Sequence, residues 1–373
     1  MESYVQNPLT RVRESLSENN IDTFLVLMDN NRRYLSGYTP KDTPFDESAG
    51  ALLINETRQI LLTDSRFDLQ AKKEAPSFEV ICYKEGLAKE LPGVLKSLGA
   101  KKLGFETVRM TVFRYNAIVK ELNEQHVDIE LVGTENMVEK LRMIKTEPEI
   151  ENTRKALLIA ETVFTDFIHH LRPGMSEKTA AWMIESSLRT SADQISFQPI
   201  CGSGPNSALP HAVPGDREFR VGEPILFDWG AKVNGYCSDM SRTVILGQPD
   251  DMFNKVYQTV HDALRMATEA IKAGVSSKAV DGIARNYIEN KGFKDKFGHG
   301  LGHGTGLGIH EGPRLSPTVD SVLESGMIVT VEPGIYLPDW GGVRIENMVV
   351  VRDDGPEVLN TLNDDNFSHI ITI

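Results

Sequence analysis

The sequence is poor in several features that would each define a class of protein. Its 373 residues hold only three cysteines, Cys82, Cys201 and Cys237, far apart and without a C-x-x-C pair. A disulfide scaffold and a cysteine-built zinc site are excluded, and a reducing, cytosolic setting is the simplest reading. There is no run of 18 apolar residues, so no segment is expected to span a bilayer. The opening residues, MESYVQNPLTRVRESL, lack the apolar stretch and cleavage site of a secretory signal. Positive charge is in deficit: 40 Lys and Arg against 53 Asp and Glu give a net charge of −13. Nucleic acid and anionic membranes, which need a basic surface, are therefore not expected as main partners. No repeat and no low-complexity tract stands out. The apolar share of 40% and charged share of 25% belong to an ordinary globular protein, and the length suits two or three domains.

The histidines are distributed unevenly. Of nine, only His126 precedes position 168, and His211, His299, His303 and His310 sit in Gly- or Pro-rich loops. The front, residues 1–140, alternates strand patterns (TFLVLMD, GALLINETRQILLTDS, FEVICY) with the helical LAKELPGVLKSLG. An α/β domain without a catalytic cluster is expected there, with NNRRYLSGYTPKD (30–42) as a polar surface loop. Residues 140–174 form the junction, and a long helix follows Thr146 and Pro148. Further helices are expected from Asp250 or Asp251 to about Ala273, and from Ser276 or Ser277 to Gly292. A second domain over 145–373 thus carries the chemistry.

Three segments carry it. EPILFDWGAKVNGYCSDMSRTVILG (223–247) holds two β-rich runs around Asn234–Gly235, the strongest short hairpin signal. A two-residue turn there sets Val233 opposite Tyr236 and Asp228 opposite Ser241. Asp228 and Asp239 become diagonal neighbours on one face, about 7–8 Å apart at the backbone. Two inward carboxylates repel unless a cation or a proton intervenes. Taken alone, this hairpin leaves open a shifted register with one aspartate buried and one exposed. TVEPGIYLPDWGGVRIENMVVV (330–351) repeats the pattern: an apolar strand ends at Glu332, and a second carries Glu346 after a Pro/Gly-rich loop. Glu is uncommon inside apolar strands unless paired. FGHGLGHGTGLGIHEGP (297–313) is glycine-rich but lacks the lysine of a phosphate loop, and His303 can join the four carboxylates. Four carboxylates and one imidazole suit two divalent ions such as Mn(II), Co(II), Fe(II) or Zn(II).

With these residues assembled, the chain resembles the pita-bread metallopeptidases, which include methionine aminopeptidases, Xaa-Pro aminopeptidases and Xaa-Pro dipeptidases. The resemblance rests on FDWGAKVNGYCSDMSRT, GHGLGHGTGLGIHEGP, VEPG and GGVRIEN, and CGSGPNSALPHAVPGDR (201–217) is similar to the Xaa-Pro branch. It implies an α/β (α+β) protein, with a creatinase-type N-terminal domain before the pita-bread catalytic domain. It also implies two divalent ions, with manganese the first choice and Co, Zn or Fe the alternatives. Asp228, Asp239, His303, Glu332 and Glu346 would be the metal ligands, with Asp239 and Glu346 bridging and Glu332 also accepting the nucleophile's proton. His310 would stabilise the oxyanion, His211 would contact substrate at the scissile group, and His299 would assist proton transfer. Arg344 would anchor a carboxylate or a backbone oxygen. Tyr336 and Trp340 are candidates for an apolar proline slot. The implied activity is metal-dependent removal of the residue before proline from proline-containing peptides, as an Xaa-Pro aminopeptidase. An Xaa-Pro dipeptidase, or more remotely a non-hydrolytic peptide-binding protein on the same fold, is the alternative. A homodimer is a further expectation from the resemblance.

Overall fold

The computed structural model describes residues 7–42, 47–363 and 366–373. The first six residues of the opening stretch read above lie outside that range. The chain divides into two compact units, one up to Arg142 and one from Met143 onward.

The first unit is built on a six-stranded sheet ordered Glu79–Cys82, Gln59–Thr63, Ala51–Asn55, Thr23–Val26, Lys102–Glu106, Glu130–Thr134. The central strands, Ala51–Asn55 and Thr23–Val26, are apolar at all but one position each because both faces are covered. Phe24 and Val26 pack with Leu9, Val12 and Leu35 on one side. Leu25 and Leu53 pack with Leu91, Leu95 and Ile118 on the other. The helix Leu87–Leu98 ends at Gly99, which takes the left-handed φ of 66° that glycine tolerates.

One expectation fails in this unit. Residues 30–42 are not simply a polar surface loop, because Asp29–Ser36 is a helix that buries Asn31 and Arg32. Both are matched by buried partners, nearby in sequence for Arg32 and distant for Asn31. Arg32 forms a fully buried pair with Asp42 at 2.8 Å. Asn31 donates to Glu106 at 2.5 Å and accepts from Arg142 at 2.6 Å. Glu106 also accepts the N–H groups of Leu27 and Met28, each at 2.6 Å, at the start of that helix. Burial still pushes its carboxyl up to about 7.

The second unit opens with the helix Glu147–Ile168, capped by a reciprocal Thr146–Glu149 box. The helix expected to run to Ala273 stops at Glu269, and the next is Ser277–Ile288, with the Ser276 side chain capping its first turn. Two sheets matter to function. One is ordered Ile370–Ile371, Met240–Leu246, Pro224–Trp229, Ile200–Ser203. The other is ordered Glu311–Leu315, Gly302–Gly304, Ile328–Val331, Asn347–Val351, Pro356–Val358. Among the described residues no helix is long and apolar enough to cross a membrane.

Candidate metal centre

The Asn234–Gly235 turn has the positive φ angles of the expected type, 49° and 84°. Val233 faces Tyr236 and Asp228 faces Ser241, as that turn requires. Asp239 lies just before the strand Met240–Leu246. The second acidic pair is placed differently from a plain loop between two strands. Strands Ile328–Val331 and Asn347–Val351 pair with Val331 opposite Asn347. The Pro/Gly-rich stretch between them is itself a hairpin, Gly334–Leu337 with Gly341–Arg344. Glu332 and Glu346 sit in the gap between these two ladders.

Ser241 joins the two hairpins. Its carbonyl accepts the Glu346 N–H at 3.1 Å, and its hydroxyl donates to Glu346 Oε2 at 2.8 Å. Single oxygens of Asp228, Asp239 and Glu346 lie within 4.8 Å of one another. His303 Nε2 stands 3.5 Å from both Asp239 Oδ2 and Glu332 Oε1. The five candidate ligands therefore form two overlapping groups, Asp228–Asp239–Glu346 and Asp239–His303–Glu332, on one cavity. The glycines around His303 are demanded by close approach: a Cβ on Gly302 would lie 2.0 Å from the Thr330 carbonyl, and one on Gly304 1.9 Å from that of Gly312.

The electrostatics fit a cation site. Burial, reinforced by mutual repulsion, pushes the Asp239 and Glu346 carboxyls well above the usual range. Burial raises Asp228 against the pull of Arg344, and lifts Glu332 to about 7. Asp228 Oδ1 and Glu346 Oε1 are buried without a hydrogen-bond partner. Such atoms are costly unless something positive or a donor reaches them. His303 Nδ1 lies 3.0 Å from the Gly304 carbonyl, which can only accept, so Nδ1 carries the proton and the Nε2 lone pair faces the acids. Burial holds that imidazole down to about 3, in its neutral, ligating form.

The remaining candidates surround this cluster. Arg344 is buried, borders the cavity, and its side chain makes four hydrogen bonds within the protein. Nη2 donates to Asp228 Oδ2 at 2.7 Å, Nε to Ser241 at 2.8 Å, and Nη1 to Tyr336 Oη at 2.9 Å and to the Pro210 carbonyl at 3.3 Å. The carboxylate and the backbone oxygen bonded to it in the structure are those of Asp228 and Pro210. His299 Nδ1 faces the Gly300 carbonyl and Nε2 accepts from Tyr336, both at 2.8 Å. Burial, with Arg344 nearby, holds it down to about 4. His310 stands edge-on to His303 with ring centroids 4.5 Å apart. A cavity of about 1140 Å³ opens onto the cluster, and His211, His299, His310 and Arg314 are in its wall. Tyr336 and Trp340, the candidates for a proline slot, are not in that wall. Trp340 packs half-buried against the apolar core, whereas Tyr336 lies beside His299 with its hydroxyl occupied by Arg344 and His299. Ser241 and Tyr336 are the site residues whose roles the motifs did not announce. The signal for Ser241 was its register position opposite Asp228.

This fold and site define a metallopeptidase. Residues 151–353 match metallopeptidase family M24, and residues 8–144 match the creatinase/prolidase N-terminal domain. The chain belongs to metallopeptidase family M24. It is 34% identical to an Xaa-Pro dipeptidase of Pyrococcus furiosus over 94% of this chain and 97% of that one. The structure of an Xaa-Pro dipeptidase from Bacillus anthracis superposes with a TM-score of 0.89 at 38% identity, covering 98% of this chain and 99% of that one. That of an X-Pro aminopeptidase from Thermotoga maritima gives 0.84 at 37% identity, covering 96% and 99%.

Proposed function

We propose that the chain hydrolyses the bond between an N-terminal residue and a following proline, as a two-metal Xaa-Pro aminopeptidase. The observation that carries this is the convergence of Asp228, Asp239, His303, Glu332 and Glu346 on one cavity in a chain of this family. Asp228 would hold one ion, His303 and Glu332 the other, and Asp239 and Glu346 would lie between them; manganese is the first choice. Bound there, two such ions supply an acidified water and polarise the scissile carbonyl.

The other steps belong to the chain's own residues. Glu332, in the cavity wall, would accept the proton released by the attacking water and return it to the leaving nitrogen. His310, exposed at the cavity wall, keeps one N–H to donate to the carbonyl oxygen as charge develops on it. His211, also exposed there, orients the substrate at the scissile group. Arg344 acts through Asp228, which it holds by Nη2, and His299 acts through Tyr336 on Arg344, so both are positioning residues. The Xaa-Pro amide has no N–H. A site that relies on metal, imidazole and shape instead of bonding that N–H can accept it.

A second reading, an Xaa-Pro dipeptidase, is favoured by Arg314. It faces His303 across the strand pair, lines the cavity, and has no hydrogen-bonded or ion-pair partner among the described residues. A guanidinium there suits the free carboxylate of a C-terminal proline. The test is a product assay on chelator-stripped protein with and without Mn(II) or Co(II), using Ala-Pro, Ala-Pro-Ala and Ala-Ala-Ala. Metal-dependent cleavage of the proline peptides alone is expected. The ratio between those two decides between the readings, and silence on all three would defeat both.

A further inference from the structure

The cavity extends beyond the ligand cluster. Ile200, opposite Asp228 in the strand register, lies in its wall. So does the helix Glu177–Ser191, through Lys178, Thr179, Trp182 and Glu185. Lys178 and Trp182 are four residues apart, one above the other on a helix face. Trp182 is 63% exposed, although an aromatic of this size ordinarily finds cover. The Lys178 ammonium is exposed and has no acidic partner among the described residues, whereas Glu185 is taken by Arg189 at 2.8 Å.

This face is firmly held. Glu177 is fully buried and accepts the N–H groups of Ser203 at 2.8 Å and Gly215 at 3.2 Å. The Lys178 N–H donates to the Gly215 carbonyl at 2.9 Å. The first turn of the helix is thereby tied to both ends of the segment that carries His211. The backbone that carries Lys178 is thus held against that segment.

We infer that this helix face is a subsite for the residue that follows proline. Trp182 receives its side chain and Lys178 its terminal carboxylate. The favoured substrates are then tripeptides of the form Xaa-Pro-Xaa with a large apolar third residue and a free C-terminus. The direction follows from charge: the ammonium end of a peptide is attracted to the acidic cluster and repelled by Lys178, and the carboxylate end the reverse. The inference rests on the Xaa-Pro reading for the bond cleaved, but the subsite can be probed without turnover.

The test is calorimetric titration of Mn(II)-loaded protein with Pro-Phe, the leaving product, and with its C-terminal amide. Both side chains are exposed, so Lys178→Gln and Trp182→Ala should fold. Wild type should bind the acid about fivefold more tightly than the amide, a difference suited to a solvent-exposed ion pair. Lys178→Gln should erase that difference. Trp182→Ala should weaken both ligands about tenfold, as expected for loss of an aromatic anchor. The ratio of kcat/KM for Ala-Pro-Phe over Ala-Pro should fall in both variants. Equal affinity for acid and amide in wild type, undiminished binding in both variants, or no binding of Pro-Phe to wild type would each overturn the inference. Failure of the Xaa-Pro reading looks different. Wild type would cleave neither peptide, while Pro-Phe binding would still depend on Lys178, and the subsite would stand on that binding.

Discussion

Raising the pH from 6.5 to 8 should weaken the fold of the metal-free protein, and divalent metal should cancel much of that loss. The buried Glu332 carboxyl titrates near 7 in the fold, against about 4.3 in an open chain. Between those values the folded state holds a proton that the unfolded state lacks, so stability falls as pH rises. The contribution is fully present below the unfolded value and is lost as pH passes through 7. The window begins at 6.5 because the histidines act oppositely below it. His299 and His303 are held down to about 4 and 3, so up to about 6.5 the unfolded chain binds more protons and stability rises with pH. Above 6.5 that opposing contribution fades, to about 0.4 kcal/mol for each histidine over the rest of the window, and the raised acids outweigh it. At about 1.4 kcal/mol per pH unit, Glu332 passes from about one-quarter to nine-tenths ionised and loses about 1 kcal/mol. Asp239 and Glu346, pushed higher, add to it with the same sign. Glu106, also near 7, adds a similar loss in the other unit that metal does not touch. The quantity to measure is therefore the difference in slope of melting temperature against pH between chelated and Mn(II)-loaded protein, by scanning calorimetry. About 2–4 °C per kcal/mol applies to a unit of this size. Glu332→Gln should flatten the chelated slope by its share. A chelated protein whose melting temperature stays level or climbs from pH 6.5 to 8, or a loaded protein with the same slope, would refute the reasoning.

Asp239→Asn should abolish turnover and weaken Mn(II) binding by calorimetry, yet raise the melting temperature of chelated protein by removing one of four crowded carboxylates. Arg344→Met leaves Asp228 buried without its counter-charge and should cost about 3–5 kcal/mol in denaturant unfolding; a loss below about 1 kcal/mol would mean the pair is solvated. Gly304→Ala drives a Cβ to 1.9 Å from the Gly312 carbonyl, so it should displace the His303 strand and cost about 3 kcal/mol or more, read as lost soluble yield and lost metal binding together.

The sequence was most legible where the signal is local. Asn234–Gly235 alone sets the register that brings Asp228 opposite Ser241. Glycine and serine caps marked helix boundaries to within a few residues. It was least legible where polar residues are buried by distant partners. Asn31 and Arg32 sit in a stretch whose composition reads as surface. Their burial depends on Asp42, Glu106 and Arg142, and the last two lie more than seventy residues away. The same limit hid what Arg344 does. A guanidinium beside acidic motifs can serve a ligand or the protein, and only the positions of Ser241, Tyr336 and Pro210 show that this one is occupied by the protein. A hairpin, not a loop, carries the two proline-slot candidates; it packs Trp340 against the core and ties the Tyr336 hydroxyl to Arg344 and His299, so neither lines the cavity.

Glu332 and Glu346 sit where their strands are interrupted, and this has a mechanical reason. Within a continuous ladder the N–H of each residue is committed to its neighbouring strand. At Glu332 and Glu346 the ladder pauses, and their N–H groups reach sideways. That of Glu332 donates to the Leu301 carbonyl, beside the His303 strand, at 2.7 Å, and that of Glu346 to Ser241, opposite Asp228. Each interruption thus stitches one ligand-bearing segment to another. Clustered carboxylates push one another apart, so a site held only by side chains would spread when no cation is bound. Backbone stitches of this kind, with Arg344 and Ser241 pinning two of the carboxylates, hold the ligands together before metal arrives. The strain of that arrangement is the raised proton affinity of the acids, which is the property a divalent cation relieves.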